Sequence, residues 1–332
     1  MDLITGYLGI QLRNPLVASA GPFGRTVDGV RRLADAGVGA VVLASLFEEQ
    51  FDREAGAPDA VRERGYVPPG GQLHGPRGYL ELVTKSVAAV DVPVIASLNG
   101  ATTGGWTSYA SAIEQAGASA IELNLYFPQA DPLTPGPEVE HRLIEVLGTV
   151  KAAVTIPVAV KISPYLSSPG EVALRLDGVG ADGLVRFNRF MQTGIDPETL
   201  RVDATFELSR PADAAFGRMW IARLHGRVNA SLAASTGVDE ARDVAAYLLA
   251  GADVVMTTSA LLRHGVEHAE TLLDGLVGWM NRKGFESLGQ VRGMLAEPVA
   301  RDGAGELGED SDRTGYLTAL HQATSKYILG GG

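Results

Sequence analysis

Short apolar runs rich in valine, isoleucine and alanine recur along the chain, with segments of helical period between them. Eight runs stand out: 15–21 (PLVASAG), 39–46 (GAVVLASL), 92–100 (VPVIASLNG), 119–125 (SAIELNL), 156–163 (IPVAVKIS), 182–188 (DGLVRFN), 227–234 (RVNASLAA) and 253–259 (DVVMTTS). Strands that are apolar throughout, not alternating, are those covered on both faces, as in a parallel sheet wrapped by helices. The intervening segments, among them VRRLADAG, YLELVTKSVAAV, YASAIEQAG, VEHRLIEVLGTVKAA, EVALRLDGVG and ARDVAAYLLAG, are amphipathic. Four endings are alike: DAGVGAV, QAGASAI, GVGADGL and LAGADVV each put a glycine where a left-handed helix cap is least strained and pass directly into a strand.

The count of eight predicts an α/β fold, a single (β/α)8 TIM barrel, ahead of the open doubly wound sheet that the same alternation permits. Three connections are long. Residues 47–78, with PPGG and GPRG, predict a lid, and 126–137 (YFPQADPLTPGP) a proline-rich loop after the fourth strand. In 189–226, TLRVDATFELS predicts a small extra hairpin at the barrel mouth, and RMWIARL a helix before the seventh strand. The barrel is expected to fill residues 1–300. Residues 301–332 follow as an acidic, glycine-rich linker and a helix, YLTALHQATSKYI, expected to pack on the barrel.

Composition narrows the function. The 332 residues are 45% hydrophobic and 20% charged, ample for one large core. No stretch approaches the ~18 to 20 apolar residues of a membrane helix, and MDLITGYLGIQL lacks the pattern of a signal peptide, so a cytoplasmic protein is expected. Cysteine is absent, which excludes disulfides, thiolate metal sites and a cysteine base. With 28 basic against 39 acidic residues and a formal charge of -11, nucleic acid is not the expected partner; a small molecule is.

In such a barrel the chemistry sits at the carboxyl ends of the strands. There the sequence places Ser19, Ser45, Asn99, Asn124, Asn188, and Thr257 to Ser259, with Lys161 inside the fifth run. A lysine among buried strand residues needs a carboxylate, a phosphate or an electron-rich ligand, so it is either a buried salt-bridge residue or a site residue. Asn124 and Asn188 each offer donors and an acceptor, which can read a planar heterocycle or cap a turn. AASTGV and TTSAL, after runs seven and eight, combine small hydroxyl residues and a glycine in the manner of phosphate-binding loops.

These segments resemble the dihydroorotate dehydrogenase family of flavin mononucleotide (FMN) enzymes, and more closely its dihydroorotate dehydrogenase-like branch. The resemblance runs through YLGIQLRNPLVASAGP, ELNLYFP, VAVKIS, FNRF, STGV and TTSALLRHG, nearly the whole chain. It implies FMN as the cofactor, with Ala18, Ser19, Ala20 and Gly21 beside the isoalloxazine ring and Lys161 at its pyrimidine edge. It also implies that Asn124 and Asn188 face ligand and flavin, and that Ser235, Thr236, Gly237, Thr258 and Ser259 hold the phosphate. Ser45 and Asn99 complete the expected cofactor set. Family members often pair, so a homodimer is expected; the electron partner stays open.

The departures fall on the chemistry. Where the family carries asparagine-leucine-serine, a cysteine or serine base, and proline, this chain has Asn124, Leu125, Tyr126, Phe127 and Pro128. Phe127 cannot take a proton, and Tyr126, with an ordinary pKa near ~10, needs strong activation to do so. Where the family has threonine-lysine-serine, the chain has Leu43, Ala44 and Ser45, and the asparagine-rich substrate loop has become GGQLHGPRGY. The expectation is an FMN oxidoreductase working by hydride transfer at flavin N5 on a small cyclic or carbonyl compound other than dihydroorotate, with Lys161, Asn124, Tyr126 and Asn188 as its catalytic set. A Schiff-base aldolase or lyase using Lys161, and a noncatalytic flavin-binding scaffold, are the alternatives. Glu48, Glu49 and His74 are weaker site candidates. His225, His264 and His268 have no metal-ligand spacing, so no metal is expected, and Trp220 and Trp279 are expected in the core or an interface.

Overall fold

The computed structural model describes residues 1–48, 50, 75–100, 106–125, 133–188, 192–205, 207–297 and 316–322. Its contacts divide the chain into Met1–Ala296, which holds the barrel, and Glu297–Gly332, in which 316–322 is helical.

The strands are β1 (Thr5–Tyr7), β2 (Ile10–Leu12), β3 (Leu16–Ala18), β4 (Ala40–Val42), β5 (Leu46–Phe47), β6 (Val94–Gly100), β7 (Ala120–Leu125), β8 (Val158–Ile162), β9 (Gly183–Arg186), β10 (Gln192–Asp196), β11 (Arg201–Thr205), β12 (Ser231–Ala234) and β13 (Val254–Thr257). The helices are α1 (Val27–Asp35), α2 (Pro76–Val87), α3 (Trp106–Gln115), α4 (Gly136–Lys151), α5 (Pro169–Gly178), α6 (Ala214–Leu224), α7 (Ala241–Ala250), α8 (Ser259–His264) and α9 (His268–Lys283). Strands β3, β4, β6, β7, β8, β9, β12 and β13 form one parallel sheet, closed where β4 pairs with β6 and β3 with β13. All eight expected strands are present, and the (β/α)8 barrel is the fold.

The four glycines that end helices adopt left-handed φ, from 91° at Gly37 to 112° at Gly251. At Gly251 the amide caps α7 by bonding back to Tyr247 and Leu248, and a side chain there would strike His225.

Three boundaries differ from expectation for local reasons. The second run breaks after Val42 and resumes as β5, because the turn Pro22–Arg25 leans on its middle: Ala44 donates its amide to the Gly24 carbonyl, and a Cβ on Gly24 would lie 2.9 Å from the Ala44 nitrogen. The seventh starts only at Ser231, since the amides of Asn229 and Ala230 are drawn off to the Asp177 carboxylate. The eighth ends at Thr257, and Ser259 opens α8. At the mouth, β10 and β11 form the expected hairpin, with Ile195 opposite Val202.

One element has no counterpart in the sequence reading. Strands β1 and β2 pair antiparallel into a hairpin that closes the barrel floor. Tyr7, Leu8 and Leu12 pack into the barrel interior with Val17, Ala40, Val42, Ile95, Ala120, Ala159, Val185, Ala233, Val254 and Met256. A second, larger cluster fills the layer between strands and helices, and Trp220 and Trp279 pack against it, half-buried.

Candidate active site

Parallel pairing sets Asn99, Asn124, Lys161 and Val185 in one row across β6 to β9. Val185 belongs to the interior cluster, so this row faces inward, and alternation puts Ser97 and Glu122 in the inward row below. The inward rows thus change from apolar at the floor to polar near the strand ends. Lys161 is buried, and its Nζ lies 3.0 Å from Ser19 Oγ and 3.5 Å from Glu122 Oε1. Lys161 therefore forms the buried ion pair that one reading expected, and it does so at the strand ends.

Asn124 and Asn188 meet. Asn188 donates its side-chain amide to Asn124 Oδ1 at 2.6 Å, and its backbone amide to Ile162 at 2.9 Å. One donor and one acceptor are consumed by this pair, which fixes both amide planes and leaves the remaining groups for a ligand. Ser45 bonds Ser97 Oγ at 2.8 Å, and Ser97 in turn is tied through its backbone to the Tyr79 hydroxyl.

Above this row lies a cavity of about 360 Å³, within the range of small-molecule sites. Of the expected cofactor residues, Ser19, Ala20, Gly21, Lys161, Asn188, Ser235, Thr236, Thr258 and Ser259 line it together. Ala18, Ser45, Asn99, Asn124 and Gly237 do not line it. Ala18 is buried in β3 and Asn124 stands behind Asn188. Tyr126, Glu49 and His74 fall outside the described residues. Sequence reasoning missed Arg25, Phe187 and Ser209, which also line the cavity. Phe187 and Arg25 had a visible signal, the first lying inside FNRF and the second three positions past YLGIQLRNPLVASAGP.

The cavity wall between strand ends one and eight is drawn tight. Ser19 donates its amide to Thr257 and accepts the Thr258 hydroxyl at 2.8 Å, while a Cβ added to Gly21 would sit 2.4 Å from Thr258 Cγ2. Only glycine fits there. After β12 the loop turns through two left-handed residues, Thr236 at φ 78° and Gly237 at φ 71°. A β-branched residue in that region costs roughly 1–2 kcal/mol, and here the Ser235 and Thr236 hydroxyls both donate to the Phe187 carbonyl and hold the loop in place. Gly237 donates its amide to Ser209 Oγ, which bonds Ser259 Oγ. The described lining contains two cations, Lys161 and Arg25, and no carboxylate.

The remaining histidines are placed elsewhere. His264 and His268 gather around Asp239, and His225 packs between Gly251 and Gly293. A second cavity of about 360 Å³ lies at the barrel floor beside the β1–β2 hairpin. Its one charged lining residue, Arg292, is bonded to Asp253, so it lacks the converging polar groups of the upper site. No helix among the described residues is long and apolar enough to cross a membrane.

Comparison with known proteins agrees with this geometry. The family model described as dihydroorotate dehydrogenase matches residues 2–280. The chain is 29% identical over 303 residues to the catalytic subunit of dihydroorotate dehydrogenase B (NAD(+)) of Methanothermobacter thermautotrophicus, covering 88% of this chain and 98% of that one. To the protein of the same name from Methanocella arvoryzae it is 28% identical over 296 residues, covering 88% and 97%. A Listeria welshimeri protein of that name is 32% identical over 173 residues, 50% of this chain and 56% of its own. Barrel, strand-end polar row and family match converge: the chain belongs to the dihydroorotate dehydrogenase family and is an FMN-dependent oxidoreductase of that type.

Proposed function

We propose that the protein uses FMN bound in the upper cavity to oxidise or reduce a small cyclic or carbonyl-containing compound other than dihydroorotate. The residues present suit the cofactor. The lining brings Lys161 and Arg25 to the same cavity as the small-residue loops after β12 and β13, and the loops of Gly21 and Gly237 leave no room for a Cβ. Because the Ser235 and Thr236 hydroxyls are spent on Phe187, and the Ser235 and Gly237 amides on Arg186 and Ser209, phosphate recognition would fall to the backbone amides of Thr236, Val238 and the 258–260 turn. Ser19, Ala20, Gly21, Lys161 and Asn188 would border the ring, and Asn124 would orient Asn188. Bound FMN supplies two-electron chemistry. The protein's own part is to bind and orient the ring, to set a cation at its edge through Lys161, and to exclude water.

The observation that carries the substrate reading is the rim beyond β4. Where the family has a lysine, this chain has Ala44, whose backbone amide bonds the Gly24 carbonyl, and the neighbouring Ser45 hydroxyl is already engaged by Ser97. A second cation beside the ring is thus lacking at that position, and in the sequence Tyr126 and Phe127 replace the residues that carry the family's proton acceptor. The relatives are designated catalytic subunits, which supports a second subunit as electron partner; a homodimer of the barrel itself is also proposed. The test is direct. Purified protein should show flavin absorption near ~450 nm, release FMN on denaturation, and fail to turn over dihydroorotate at the ~1 per second ordinary for enzymes. Turnover at that rate would overturn the substrate reading, and absence of flavin after reconstitution would overturn the cofactor site.

A further inference from the structure

Glu122 is as buried as any residue in the protein, with 1% of its side chain exposed. It stands on β7 two positions before Asn124, on the same inward face and one row deeper. Neither carboxylate oxygen accepts a hydrogen bond. Its ion-pair partner among the described residues is Lys161, at 3.5 Å. Below it lies Tyr7, whose hydroxyl has no partner and whose pKa is raised by burial first and by the Glu122 charge second. The floor of the barrel thus offers the carboxylate no donor. A buried carboxylate without hydrogen bonds is strongly disfavoured unless an opposite charge sits beside it, and a buried ammonium has the same requirement.

The pairing has an electrostatic consequence for the cavity above. Lys161 alone would present an unbalanced positive charge in a medium of low dielectric constant. With Glu122 beneath it, the cavity meets a neutral pair whose positive end points toward the strand ends. We propose that Glu122 is a positioning residue for Lys161, holding its ammonium against Ser19 and balancing its charge, and so sets how readily the flavin bound above accepts electrons. This rests on the FMN reading of the upper cavity. It assigns to Glu122 no contact with cofactor or substrate.

The test compares wild type with E122Q, which keeps the shape and removes the charge. With FMN bound, the unbalanced ammonium favours the electron-rich form of the ring. The equilibrium constant for flavin reduction, measured at mildly acidic pH, should rise at least tenfold, about 30 mV toward positive potential for a two-electron couple. E122D, which keeps the charge, should stay closer to wild type. A second measurement needs no flavin: thermal unfolding of the apoprotein should show E122Q destabilised, with K161M/E122Q recovering most of the loss, since removing both charges leaves neither unpaired. Should E122Q fail to fold, recovery by the double variant still supports the pairing. Wild type that binds no flavin would refute the cofactor reading instead, with the apoprotein cycle still deciding the pairing. Flavin-loaded E122Q with an unchanged potential, or a double variant no more stable than E122Q, overturns the proposal.

Discussion

Arg186 occupies the outward-facing position next to Val185 on β9, fully buried between the strand and the helices. Its Nη2 donates to the Pro169 carbonyl at 3.1 Å, its guanidinium lies 5.2 Å from the centre of the Phe187 ring, and its Nε and Nη1 have no partner. Burial alone draws its pKa down to about 9, from an ordinary value above ~12. At 1.36 kcal/mol per pKa unit that is roughly 5 kcal/mol against the charged form. The hydrogen bond to Pro169 and the aromatic face return roughly 2–4 kcal/mol. The charge therefore remains a net burden of about 1–3 kcal/mol. Arg186→Met keeps most of the apolar stem, and a cavity term of about 1 kcal/mol offsets part of the gain. The expected outcome is a protein equally stable or up to about 2 kcal/mol more stable, a rise in Tm of up to roughly 4 °C by calorimetry. The sign with pH follows. Between about 9 and the ordinary arginine value the folded state binds fewer protons than the unfolded one, so the burden is full below pH 9 and lifts as pH rises through that window. The advantage of the methionine variant should shrink above pH 9. A fall in Tm of 4 °C or more at neutral pH would refute the reasoning, since it would mean that the guanidinium is compensated.

Other positions give sharper functional readouts. Gly237→Ala forces a Cβ into the left-handed region and to 2.7–2.8 Å from backbone atoms of Ala214 and Arg210; a loss of about 2–4 kcal/mol and release of FMN are expected, read by thermal melts and flavin fluorescence. Asn188→Leu removes the donor to Asn124 and should weaken FMN binding about tenfold, the worth of one lost hydrogen bond, in titrations of the apoprotein; unchanged affinity would exclude Asn188 from the cofactor site. The Glu114 carboxylate, held below the ordinary range by hydrogen bonds from the Thr155 hydroxyl and amide and from Ile156, stabilises the fold at neutral pH and loses that contribution as pH falls through its depressed value. Wild type should melt above Glu114→Gln at pH 7, and the gap should close on acidification.

The barrel was legible because each of its eight strands is buried on both faces and so leaves an unbroken apolar signature. The floor hairpin was not. Its turn is Leu8–Gly9, both residues left-handed, and an asparagine or glycine in place of Leu8 would have advertised a two-residue hairpin loop. Leucine is there because its side chain fills the space left by Gly183, a tertiary reason with no local trace. At the site, the argument that singled out Lys161, a charge amid apolar strand residues, applies equally to Glu122 in SAIELNL and to Arg186 in DGLVRFN. Neither was drawn from the sequence, although the pattern was present in both. Which of the three share a face depends on register: Glu122 and Lys161 turn inward and pair, while Arg186 turns outward, with no ion-pair partner among the described residues. The asparagine pair was readable as composition, but their contact across 64 positions was not.

The floor hairpin also bears on the order of assembly. Thr5 Oγ1 bonds the Asp253 carbonyl, 248 positions away, and the Leu8 amide bonds Ser231 Oγ, 223 positions away. The hairpin precedes every barrel strand in the chain and is thus among the last elements to find its partners, since contacts so distant in sequence form only after most of the strands exist. Until then Tyr7, Leu8 and Leu12 stay uncovered. Synthesis of this chain therefore carries an interval in which the hairpin's apolar side chains are open to misassociation.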